Sequence, residues 1–152
     1  MDGSGVISTM SHSESWNVQK NVMHEQLLQL EEIRSHQMEQ YVLQHNVEHK
    51  RLEQLLDQYI QYIKNLLTLS EPPAQQLVLL HHDIEIEYLE DGFIDKYCIV
   101  LPHETNPEEG KISLLSPVGR QLLLAPIHSE LELETPAGIM KIRIVTIEQA
   151  AA

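Results

Sequence analysis

The stretch Glu130-Leu131-Glu132-Leu133-Glu134-Thr135-Pro136-Ala137-Gly138-Ile139-Met140-Lys141-Ile142-Arg143 decides how the second half of this chain folds. Leu131 and Leu133 alternate with Glu130, Glu132 and Glu134, the period of two of a half-buried strand. Thr135 to Gly138 has proline at the second and glycine at the fourth position of a β-turn. Folding about that turn sets Leu133 opposite Met140, Glu132 opposite Lys141, Leu131 opposite Ile142 and Glu130 opposite Arg143. One face becomes apolar and the other pairs opposite charges. A slip of one residue destroys both patterns, so the register is specified twice.

Upstream, Ile84, Ile86 and Tyr88 alternate with Glu85 and Glu87, and Asp91-Gly92 reads as a turn into a strand over residues 95–101 that carries Tyr97 and Ile99. Between these strands and the hairpin lies Lys111 to Leu124. There Ser116 is placed to cap a short helix, with Pro117 at its first position. Residues 77–149 are thus expected to form a small, mainly antiparallel sheet with one short helix against a face, an α+β arrangement.

The first half has a different period. From Trp16 to Leu69 there is neither glycine nor proline in 54 residues, and Ser70-Glu71-Pro72-Pro73 then stops the helix. Leu52, Leu56, Tyr59, Ile63 and Leu66 repeat at spacings of four and three, a packing seam, and Met23, Leu27 and Leu30 begin a second one. That second seam fails where Arg34 and Gln37 take seam positions, and the stretch between Gln44 and Arg51 offers only Val47 as an apolar residue. Two seams around a poor centre suggest an antiparallel hairpin with its tip between Ser35 and Arg51, in arms of about 22 residues, or roughly 33 Å. The alternative is one continuous helix that dimerises with another chain. The expected organisation is therefore a mobile tail over residues 1–15, a helical coiled-coil arm over 16–70, a linker over 71–76 and the sheet domain over 77–149.

Composition narrows the partners. The chain of 152 residues carries a formal charge of -13: residues 1–71 hold ten acids and five bases, and residues 72–152 thirteen acids and five bases, so the two parts are net -5 and -8. Neither part has the basic clusters that hold phosphates, so any association with DNA is expected to be indirect. No stretch reaches the roughly 18 consecutive apolar residues of a membrane span. No signal peptide is legible at the N-terminus. Cys98 is the single cysteine and has no partner for an internal disulfide, which fits a reducing compartment. The cytoplasm is the expected location.

The ordered series Asn106-Pro107-Glu108-Glu109-Gly110-Lys111-Ile112-Ser113 and Ser116-Pro117-Val118-Gly119-Arg120-Gln121-Leu122-Leu123 is similar to the PEEGKIS and SPxGRALL signatures of the bacterial GreA/GreB transcription elongation factors. With the flanking strands, the chain from Leu77 to Gln149 resembles the C-terminal domain of that family. The resemblance implies an FKBP-like domain that docks on RNA polymerase at the rim of its secondary channel, and a helical hairpin that reaches into the channel. It puts partner contacts at Ser116, Pro117, Gly119 and Arg120. In family members that stimulate transcript cleavage, paired acidic residues at the hairpin tip support a magnesium ion. Here the tip window offers only Glu39 and Glu48, nine residues apart among glutamine and histidine. A polymerase-binding elongation regulator without cleavage stimulation, not itself an enzyme and needing no cofactor, is the expectation. The chain also departs from the family after its short helix, where Leu124 to Ser129 replaces a Gly-containing turn, so that turn must be rebuilt around Pro126.

Enzyme readings have less behind them. His45-Asn46-Val47-Glu48-His49 matches H-x-x-E-H, which on a helix offers two zinc ligands and a general base, so a metal-dependent hydrolase is the alternative function. The pattern lacks a third ligand, and with nine histidines in the chain chance explains it. His81-His82 is another possible metal pair, more simply a solvated linker. An FKBP-like fold invites prolyl isomerase activity, but fold does not carry function and the domain's aromatic residues are only Phe93, Tyr88 and Tyr97.

Overall fold

The computed structural model of the chain describes residues 12–44 and 47–149, with side chains for 15–36 and 50–148. The chain divides into two compact units, Met1–Ala74 and Gln75–Ala152.

In the first unit, helix α1 (His12–Gln44) and helix α2 (Val47–Leu67) pack against each other. Ion pairs join Arg34 to Asp57 and Glu31 to Lys64, the latter at 3.4 Å, and the indole N–H of Trp16 donates to the carbonyl of Leu69 at 3.0 Å. Partners early in α1 meet residues late in α2, so the helices run antiparallel. The seam between them consists of Trp16, Met23 and Leu30 on α1 and Leu52, Leu56, Tyr59, Ile60, Ile63 and Leu66 on α2, all buried. Burying each such side chain contributes roughly 1.5–3 kcal/mol before ordering costs are subtracted. Two sequence expectations need correcting. Gln26, not Leu27, fills the seam position between Met23 and Leu30, because spacings of three and four from those residues turn Gln26 inward and leave Leu27 half-buried. Helix α1 is also longer than expected, 33 residues against 21 for α2, and begins at His12, four residues before Trp16. No glycine or proline follows Gly5 in that stretch, and Glu14 falls in the first turn, where negative charge is favoured. The rest of the expected tail, residues 1–11, lies outside the described residues.

The second unit is a five-stranded sheet in the order β3-β2-β1-β5-β4, with β1 His82–Tyr88, β2 Ile94–Val100, β3 Lys111–Ser113, β4 Glu130–Thr135 and β5 Gly138–Gln149. The β4–β5 register has Glu130 opposite Arg143, Leu131 opposite Ile142, Glu132 opposite Lys141 and Leu133 opposite Met140, as the alternation required. Strand β1 pairs antiparallel with both β2 and β5, and an irregularity between Glu85 and Ile86 takes up an extra residue of β5. The sheet is mainly antiparallel, as expected, with one parallel pair. Lys111–Ser113, expected to lie between strands, forms β3 and runs parallel to β2, with Ile99 opposite Ile112. Three residues are too few for the alternation to register, so this strand is set by its neighbours and not by its own pattern.

Ile84, Ile86, Ile99, Leu133, Ile142 and Ile144 are buried along the sheet, and Leu114, Leu122 and Leu123 are buried around helix α3 (Pro117–Leu122). The charged face carries a ladder across three strands, since Arg143 on β5 pairs with Glu130 on β4 at 2.5 Å and with Glu87 on β1 at 3.4 Å.

Candidate functional site

The segment from Asn106 to Arg120 is built by its backbone. The N–H of Asn106 donates to the carbonyl of Lys111, and the N–H of Lys111 donates back to Asn106, each at 3.0 Å. The residues between close a tight loop that needs Gly110, whose φ is 75° and whose absent Cβ would stand 2.9 Å from the carbonyl oxygen of Lys96. That glycine is fixed by its turn and by the close approach of β2.

After β3 the chain enters α3 through a knot of bonds around Ser113 and Ser116. The Ser113 carbonyl accepts from the Ser116 N–H at 3.0 Å and from its hydroxyl at 2.7 Å. The Ser116 Oγ accepts in turn from the N–H of Gly119 at 3.1 Å, which makes Ser116 the N-cap, and Pro117 takes the first helical position. Gly119 is buried. A Cβ there would stand inside contact distance of the Ser113 carbonyl oxygen and 3.0 Å from Ser116 Oγ.

The four expected contact residues therefore divide. Ser116 and Gly119 hold the helix start against β3, whereas Pro117 is exposed and Arg120 half-exposed. Pro117 and Arg120 stand three apart on α3 and so share a helix face. The Arg120 guanidinium has no ion pair or hydrogen bond among the described residues; of the other bases of the unit, Lys96, Lys111 and Arg143 are each paired with a glutamate and Lys141 has no ion pair. In a part of the chain that is net -8, Arg120 is a cation left available to a partner.

Sequence reasoning missed Gln121. Its side-chain amide donates to the carbonyls of Pro117 and Glu134, and its oxygen accepts from the Glu134 N–H, which ties α3 to edge strand β4. No periodicity marks such a residue, because the signal is a spatial partner thirteen positions away.

The turn expected around Pro126 is present. The Pro126 carbonyl accepts from the N–H of Ser129 at 3.2 Å and from its hydroxyl at 2.6 Å. On either side, Leu124 and His128 both have φ of 69°, a region non-glycine residues enter at a cost. Their backbone bonds repay it: the Leu124 N–H donates to Val78 and the His128 N–H to Ile144.

The histidine readings change. His81 and His82 are not a solvated linker, since His81 bonds Glu104 at 2.7 Å and His82 opens β1. Burial, with the neighbouring His81, pushes the His82 imidazole down to about 4, against a smaller opposite pull from Asp83. Burial likewise works to raise the Glu104 carboxyl, but the bonds from His81 and the Leu101 N–H outweigh it and hold that carboxyl below its usual value. Cys98 is buried and its thiol is pushed up to about 11, chiefly by burial, which removes it as a nucleophile near neutral pH. Among the described residues no group of three or more His, Cys, Asp or Glu is placed to hold a metal ion. The side chains of Glu39, Glu48 and His49, and all of His45, lie outside the described residues. No helix among the described residues is long and apolar enough to cross a membrane.

Residues 73–149 match the family described as transcription elongation factor, GreA/GreB, C-term. The chain is 34% identical over 99 residues to the transcription elongation factor GreA of Solidesulfovibrio magneticus, covering 61% of this chain and 60% of that protein. It is 29% identical over 103 residues to GreA of Chloroflexus aggregans, covering 64% and 66%. The chain thus spans less than two thirds of the length of these relatives. Among solved structures it is similar to the GreA factor homolog 1 (Gfh1) protein of Thermus thermophilus, with 23% identity, 90% of this chain and 94% of that one covered, and a TM-score of 0.46. With the matched stretch taking in half of its residues, including the whole sheet and the Ser116–Arg120 segment, the chain belongs to the GreA/GreB family of transcription elongation factors.

Proposed function

We propose that this protein acts in the cytoplasm as a regulator of transcription elongation that binds RNA polymerase, at the rim of its secondary channel, through Pro117 and Arg120 on the framework held by Ser116 and Gly119. The observation that carries the reading is Arg120, without an ion pair among the described residues, on one helix face with Pro117 in a unit of net charge -8 and within the stretch matched to the family. Its association with DNA is then indirect, through the polymerase, because the acidic charge opposes direct binding.

The protein works without stimulating transcript cleavage. Supporting a second metal at the polymerase active site would require two carboxylates with oxygens within roughly 2.0–2.6 Å of one ion. Glu39 and Glu48 are the carboxylates available near the helical turn, and they stand opposite each other only for a turn centred near residue 43 or 44. Helix α1 ends at Gln44 and α2 begins at Val47, which moves that centre beyond them.

The test is co-purification of the chain with bacterial RNA polymerase, followed by an assay on backtracked complexes. Arg120→Ala is expected to weaken binding, and cleavage is expected to stay at the polymerase's intrinsic rate. Faster cleavage that Glu39→Ala or Glu48→Ala abolishes would overturn the second part of the proposal.

A further inference from the structure

Two turns at one end of the sheet enclose a groove of about 570 Å³ that the reading above does not use. Its apolar lining is Phe93, from the β1–β2 turn, with Ile139 and Met140 from the start of β5, which are 62%, 66% and 37% exposed. Single exposed apolar residues need no explanation, but three lining one concave surface mark a contact site.

The groove is already shaped. The Leu89 N–H donates to the Lys141 carbonyl at 2.9 Å, which locks the first turn to β5. The Tyr88 N–H donates to the Phe93 carbonyl at 2.8 Å, the Phe93 N–H donates to the Asp91 carboxylate at 2.9 Å, and the Phe93 ring stacks on Tyr88 with centroids 6.2 Å apart. An occupant therefore finds its apolar surface in place and has little ordering cost to meet on this side.

The rim identifies the occupant. Glu90, Asp91 and Lys141 line the groove, are exposed and form no ion pair among the described residues, so the apolar floor is bordered by two negative charges and one positive, a net negative rim. A second copy of this chain would present the same net negative rim, so a two-fold contact opposes like net charge. Three exposed side chains are also far short of the roughly 1,600 Å² that a standard stable interface buries. A segment that inserts an apolar side chain and carries lysine or arginine beside it satisfies both the floor and the rim.

We propose that this groove takes such a basic, apolar-tipped segment of RNA polymerase, as a second contact that shares no residue with Ser116–Arg120. The choice of polymerase as the partner rests on the function proposed above. The groove supplies burial of an apolar anchor, and Glu90 and Asp91 supply steering that weakens with salt.

The full chain is titrated with bacterial RNA polymerase core enzyme at low and high salt, alongside two double variants. Phe93→Ser with Ile139→Ser removes the exposed apolar floor, and is expected to weaken binding about tenfold at both salt concentrations. Glu90→Lys with Asp91→Lys is expected to weaken it mainly at low salt. Unchanged thermal unfolding shows that neither pair disturbs the fold. If the wild type binds and both double variants bind equally well, the groove is not a polymerase contact and the inference fails alone. If the wild type does not bind, the function proposed above fails and takes this inference with it. A wild-type dimer in sedimentation that Phe93→Ser with Ile139→Ser dissociates, with polymerase binding unchanged, assigns the groove to a second copy and overturns the proposal.

Discussion

The side-chain amide of Gln121 donates to the carbonyl of Glu134 at 2.9 Å and accepts from the Glu134 N–H at 2.8 Å, so one side chain makes both bonds that a neighbouring strand residue would make. Strand β4 is an edge of the sheet, and an open edge is a template for unwanted pairing. Gln121→Ala is expected to lower stability by about 1 kcal/mol, because water can replace the lost bonds at this exposed position. Gln121→Glu should cost more, since it loses the donor and sets a charge beside Glu134. Urea midpoints of the three proteins check the order, and faster hydrogen exchange at the Glu134 amide localises the effect.

Gly119→Ala tests whether the second glycine of the family signature is structural. The added methyl meets the Ser113 carbonyl oxygen, which is backbone and cannot swing aside. A loss of roughly 1–3 kcal/mol is expected, as for overpacking of a core. Pro117→Ala and Arg120→Ala should leave stability almost unchanged, because these side chains are exposed or half-exposed and take no part in the knot around Ser113. Thermal unfolding of the three variants separates framework from surface.

What the sequence made legible follows from the range of each signal. The β4–β5 register was readable because alternation and charge pairing agree over consecutive residues, and the cap at Ser116 because a cap is local. Strand β3 and Gln121 were not, since each depends on partners distant in sequence. Gln26 replaced Leu27 in the helical seam because hydrophobicity alone picks the apolar neighbour, whereas packing geometry picks the position. At the site, the SPxGR series gave its four residues one role. Only the bonds of Ser116 and the close packing of Gly119 separate them from Pro117 and Arg120.

Acid stability should depend on His82. Its imidazole is held neutral by burial, with a folded value of about 4 against 6.5 for the free group, and its Nδ1 is buried without a hydrogen-bond partner among the described residues. Between these values the unfolded chain takes up a proton that the folded chain refuses. Stability is therefore full above pH 6.5 and falls as pH drops through the window toward 4, by roughly 1–2 kcal/mol at pH 5. Glu104, held below its usual value, adds its own loss only at lower pH. Urea unfolding between pH 5 and 7.5 should show the slope in the wild type and a flatter profile in His82→Gln. An equal slope in both would mean that another group titrates.

The helical unit should be a hairpin within one chain and not a pair of exchanged helices. The ion pairs Arg34–Asp57 and Glu31–Lys64 fix an antiparallel register, but two straight chains lying antiparallel would reproduce the same contacts between copies. Distance within one chain separates the two arrangements. Glu31 and Lys64 stand 3.4 Å apart across the hairpin, whereas on one continuous helix the same 33 steps along the chain would hold them roughly 50 Å apart. Spin labels at Glu31→Cys and Lys64→Cys, with Cys98→Ala to remove the native thiol, report that distance. Dilution of labelled protein with an excess of unlabelled chain, mixed under unfolding conditions and refolded, leaves a short intramolecular distance unchanged. If the short distance disappears on dilution and a long one remains, the contacts are made between chains, and the coiled-coil arm is a dimer element instead of a probe carried by a single protein.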